Sequence, residues 1–109
     1  MTLKLMKLIA ISCLIVGASA VTAQDTGYRN EMEMAHKKMM EDMMAMKSTG
    51  DPDKDFVMMM IPHHQGAIDM AEVELKYGRD PALKKMAQKI IDAQQKEIDE
   101  FKKWEGAHH

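Results

Sequence analysis

The sequence predicts an all-α protein, a small up-down-up three-helix bundle preceded by a signal peptide. Three observations carry this. Apolar and methionine residues recur at steps of three and four in three successive segments, the helical period. Asp51-Pro52 and Asp80-Pro81 repeat one start signal, a capping carboxylate followed by a proline whose missing N–H costs nothing in a first turn. No segment reads as a strand.

Residues 1–23 have the composition of a leader. Lys4 and Lys7 form a short basic start, and Leu8 to Val16 form an apolar core of signal-peptide length. Ala18-Ser19-Ala20 and Val21-Thr22-Ala23 both end in small residues; cleavage after Ala23 fits better, because Gln24 and Asp25 open a polar mature start. The apolar run is short for a bilayer span, so no stable membrane insertion is expected after cleavage. Cys13 lacks the setting of a lipidated cysteine, with Ala10 three residues before it and apolar residues beyond. The expected location is the periplasm or another exported compartment.

The remaining residues, 24–109, make one domain. They contain no cysteine, which excludes disulfides and thiolate metal sites although the compartment is oxidising. Thirteen basic side chains stand against 17 acidic ones, a mildly acidic balance with no basic block for nucleic acid. Twelve of the chain's 14 methionines fall here, while aromatic residues are few.

The first helix is expected from Tyr28 to Lys47. Met32, His36, Met39, Met43 and Met46 form one face, widened by Met40 and Met44, with no leucine, isoleucine or valine among them. Gly50 supplies a left-handed stop. The second helix, capped by Asp51, is expected from Pro52 to Tyr77 and to kink at Pro62, where a backbone hydrogen bond is lost. Gly78 closes it. The third is expected from Pro81 to Trp104, with a stripe of Leu83, Met86, Ala87, Ile90, Gln94, Ile98, Phe101 and Trp104.

Short turns make consecutive helices antiparallel neighbours, so facing residue numbers should sum to about 100 across the first turn and about 158 across the second. His36 then faces His64, Met39 or Met40 faces Met60, Gln94 faces His64, and Glu97 lies near Ile61. One layer would gather His36, Met39, Met40, Met60, His63, His64, Gln94 and Glu97. Met59–His63 and Met60–His64 are i,i+4 pairs that can share an ion. Thioether is a soft neutral donor suited to Cu(I), for which Ag(I) is a mimic, and imidazole accepts copper in either oxidation state. Gln94 and Glu97 would orient the imidazoles.

The plainer reading is that methionine fills irregular cores or forms an adhesive face, with the histidines structural; Met86 and Met46 fit it. Other motifs fail. Asp51, Asp53 and Asp55 imitate a calcium loop, but Phe56 stands where glycine is needed and Pro62 at the last ligand position. Glu33 to His36 is a Glu-x-x-His without the second copy that a di-iron bundle requires. No serine, histidine and acid arrangement supports a hydrolase, and no enzyme activity is expected.

Met60 to Ala71 reads M-I-P-H-H-Q-G-A-I-D-M-A. With Asp55-Phe56 before it, Gly78-Arg79-Asp80-Pro81 after it, and the ending from Ile90 to Trp104, this resembles domain-of-unknown-function family 305, which includes periplasmic copper-binding proteins of the CopM type. The resemblance implies a ferritin-like helical fold and a role in copper binding, transfer or tolerance. It implies Met60, His63, His64 and Met70 as ligands. Phe101 departs from similar members, which often have methionine there. The expected partners are the copper ion and a copper transporter or another periplasmic copper protein; homodimerisation is left open by the single short domain.

Overall fold

Two Asp-Pro steps set the frame of the molecule. The computed structural model describes residue 17 and residues 19–109; the basic and apolar parts of the leader, Lys4 to Val16, lie outside the described residues. Three helices follow in order: α1 Ala23–Met44, α2 Pro52–Tyr77 and α3 Pro81–Ala107, with no strand among the described residues. Asp51 Oδ1 accepts the backbone N–H of Asp53 at 2.9 Å and of Lys54 at 3.4 Å. Asp80 Oδ1 does the same for Ala82 at 2.8 Å and Leu83 at 3.1 Å. Each cap satisfies amides that the helix itself leaves without acceptors. Pro62 lies inside α2, which continues through it as one helix.

The ends of α1 differ from expectation. It begins five residues before Tyr28, because Thr22 and Asp25 form a reciprocal capping box: the Asp25 amide donates to Thr22 Oγ1 at 3.1 Å, and the Thr22 amide donates to Asp25 Oδ2 at 3.0 Å. It stops at Met44, three residues before Lys47, because the following chain is held elsewhere. Asp55 Oδ2 accepts the Ser48 hydroxyl at 2.6 Å, and Oδ1 accepts the Thr49 amide at 2.8 Å and hydroxyl at 2.6 Å. Gly50 has φ +83°, the left-handed conformation expected of it, but it serves this turn rather than the helix end.

The helices form an antiparallel bundle with α2 in the middle. Of the nine buried residues among those described, six belong to α2: Val57, His64, Gly66, Ile68, Ala71 and Val73; α1 adds Ala35, and α3 adds Ala87 and Ile98. Among the described residues no Cα of α1 comes within 8 Å of one in α3. The two outer helices therefore pack on α2 and leave part of their own apolar surface uncovered. Leu83, Met86 and Ile90 of the expected α3 stripe are exposed for this reason; Phe56, in the first turns of α2, is exposed as well. No helix among the described residues is long and apolar enough to cross a membrane.

Candidate metal centre

The two histidines of the M-I-P-H-H segment are adjacent in sequence, so the helix turns their side chains about 100° apart. That rotation decides their surroundings. His64 is buried on the side of α2 that meets α3, while His63 is exposed. His64 Nε2 pairs with Glu97 Oε2, a contact spanning the α2–α3 interface. The Phe101 ring meets the imidazole edge-on, with centroids 5.4 Å apart and planes at 89°, and Phe101 in turn stands edge-on to Phe56 at 5.8 Å. Glu97 and Phe101 are one turn apart on α3, so a single face of that helix both bonds and clamps the ring.

This leaves one atom of the imidazole unexplained. With the proton on Nε2 donated to Glu97, Nδ1 carries a lone pair; it is buried and has no hydrogen-bond partner. A buried polar atom without a partner is rare in a folded protein and asks for a reason. A carboxylate holding one ring nitrogen while the other is left free is how metal-ligating histidines are oriented. Met60 lies one turn before His64 and is half-buried, so its thioether shares that side of the helix.

The other expected ligands are distributed differently. The α1–α2 pairing runs about five residues out of the expected register: Met39 packs on Gly66, Thr49 bonds Asp55, and Glu31 bonds Tyr77. A Cβ placed at Gly66 would stand 2.5 Å from Met39 Sδ and 2.8 Å from its Cβ, so glycine is what lets Met39 seat there. Gly66 lies two residues from His64, on nearly the opposite side of α2. Met39 is thereby separated from the His64 pocket by the width of the helix. Ala35 takes the buried place on α1, and His36 and Met40 are exposed. Met70 is half-buried; Met59 is exposed and borders a cavity on the α1 side. Gln94 is half-buried, and Glu97 rather than Gln94 reaches His64.

Among the described residues no three His, Cys, Asp or Glu side chains converge as a ligand set. Three structural features were not anticipated from the sequence: the Gly66 notch, the Asp55 clamp, and the contact of Glu31 with Lys76 (2.5 Å) and the Tyr77 hydroxyl (2.9 Å). A glycine inside a helix at a position facing bulky methionines was the available signal for the first. Lys76 and then Tyr77 hold the Glu31 carboxyl below its ordinary value, and Ser48 and then Thr49 do so for Asp55.

Uncharacterized protein L153 of Acanthamoeba polyphaga mimivirus is 44% identical over 49 residues, covering 45% of this chain and 32% of that protein. The chain thus matches about a third of that relative's length. The family described as Domain of unknown function (DUF305) matches residues 15–105. The chain belongs to the DUF305 family.

Proposed function

We propose that this protein is an exported copper-binding protein, a Cu(I) chaperone or buffer serving copper tolerance, and not an enzyme. The observation that carries the reading is the buried, unpartnered Nδ1 of His64 beside a Nε2 already held by Glu97. Such a ring offers one oriented lone pair at little further ordering cost. The neighbouring donor along the helix is the thioether of Met60, which needs no deprotonation and survives where thiols oxidise. His63, exposed beside His64, is the side chain through which an ion would be handed on. Export rests on the leader composition of residues 1–23.

A second reading draws on the surface. Met34 and Met44 are 69% and 78% exposed, and Met40 is exposed with them, which suits a Met-rich protein-interaction module whose histidines only pack.

Metal titration separates the two. The purified protein should bind Cu(I) or Ag(I) tightly and Zn(II) weakly under anaerobic competition. His63→Ala combined with His64→Ala should remove the tightest equivalent while circular dichroism reports retained helix. Full silver affinity in the double variant would refute the His64 site and favour the interaction module.

A further inference from the structure

α2 turns its other face to α1, and that face holds chemistry the His64 pocket leaves unused. Met43 from the last turn of α1, Met46 from the segment that follows it and Met59 from α2 line one cavity of about 270 Å³, together with Lys47, Ser48 and Asp55. Met46 lies two residues beyond the helix end with its amide donating back to the Met43 carbonyl at 3.4 Å, and Met59 sits one turn beyond Asp55 on α2. The three sulfurs therefore come from both arms of a single hairpin. The hairpin is not loose at that point, because the Asp55 carboxylate ties Ser48 and Thr49 to α2 through three hydrogen bonds.

The charges around the cavity narrow what it can hold. Asp55 is kept ionised by the Ser48 and Thr49 donors, yet both its oxygens are committed to the turn. It supplies field rather than a coordinate bond. Lys47, on the same rim, offsets that field. What remains for direct coordination is neutral thioether sulfur with little net charge around it. A donor set of that kind suits a soft monovalent ion and rejects hard or divalent ions, which need anionic oxygen or imidazole.

We infer that Met43, Met46 and Met59 form a second metal site, an all-thioether site for a soft monovalent cation of the Cu(I) and Ag(I) class, separate from His64. It rests on the same soft-metal reading of the chain but on different residues, on the opposite side of α2. A protein with both sites holds one ion against imidazole and sulfur and another against sulfur alone.

The test uses the full chain labelled at the methionine methyl groups, titrated with Ag(I) and followed by NMR and native mass spectrometry. The Met43, Met46 and Met59 methyls should shift together on silver addition and stay unmoved with Zn(II). Met43→Leu, Met46→Leu and Met59→Leu combined conserves side-chain volume. That triple variant should lose one silver equivalent, or bind it at least about tenfold more weakly. The His63→Ala, His64→Ala variant should keep the three methyl shifts. Silent methyls in the unmodified sequence, or an unchanged silver stoichiometry and affinity in the triple variant, would overturn the second site. Equal shifts with Zn(II) would overturn its selectivity. Loss of silver only in the triple variant would uphold this site and refute the one at His64, so the two claims fail separately.

Discussion

The α2–α3 and α1–α2 hairpins share a helix but are held together by different means. α3 meets α2 through a packed seam: Ile98, 1% exposed, with Ala87 and the His64–Phe101–Phe56 series of rings. α1 offers one buried residue, Ala35, and seats a methionine in a notch. Its ends are tied by polar groups, Glu31 to Lys76 and Tyr77 at one end, Asp55 to Ser48 and Thr49 at the other. One hairpin is stabilised by removing apolar surface from water. The other is fastened at two points with flexible thioethers between. The lesson is that methionine abundance marks the adaptable half of the molecule, whereas the aliphatic core marks the rigid half.

The sharpest way to break this comparison is Ile98→Ala. It empties the most buried position of the seam and should cost roughly 2–5 kcal/mol in urea unfolding. A loss under about 1 kcal/mol would mean that the stable seam lies elsewhere. Next is Gly66→Ala, which drives a methyl into the Met39 side chain near its root. Overpacking costs about 1–3 kcal/mol, and the better helix propensity of alanine returns up to about 1 kcal/mol. The net expectation is a loss of about 1–2 kcal/mol with faster amide exchange in α1 than in α3; a stabilised variant would show that α1 does not dock at the notch.

Acid should act more gently and selectively. The Glu31 and Asp55 carboxyls are held below their ordinary values of 4.5 and 3.8. Their contribution is complete above those values and disappears as pH falls through the lowered ones. Between about pH 5 and about pH 3, amide protection in α1 and in the 45–51 turn should fall earlier than protection around Ile98. Simultaneous loss throughout the chain would argue that the polar ties do not distinguish the two hairpins.

The sequence made most of the architecture legible. Both Asp-Pro starts were readable because a cap and a proline act locally, needing no tertiary partner. The α2–α3 register is readable to within about a turn, with Glu97 rather than Gln94 meeting His64, because Gly78 and Arg79 make a turn too short to slip far. The α1–α2 register was not legible. It depends on where α1 stops, and that is decided by Asp55, a side chain on the other helix reaching back to Ser48 and Thr49. His36, read as facing His64, consequently lies exposed, and Met39 meets Gly66 instead. The candidate site was half readable for the same reason: the i,i+4 pairing of Met60 with His64 is local, whereas the company each methionine keeps across the hairpin is not.

The middle position of α2 has an evolutionary consequence. A helix hemmed in by two neighbours must satisfy both at nearly every turn, so few of its residues are free to drift. The outer helices each answer to one neighbour, and their far sides are constrained by little beyond helicity. Substitutions among descendants of this sequence should therefore accumulate on the outward surfaces of α1 and of the first half of α3. The segment from Met60 to Ala71 should change slowly on packing grounds alone.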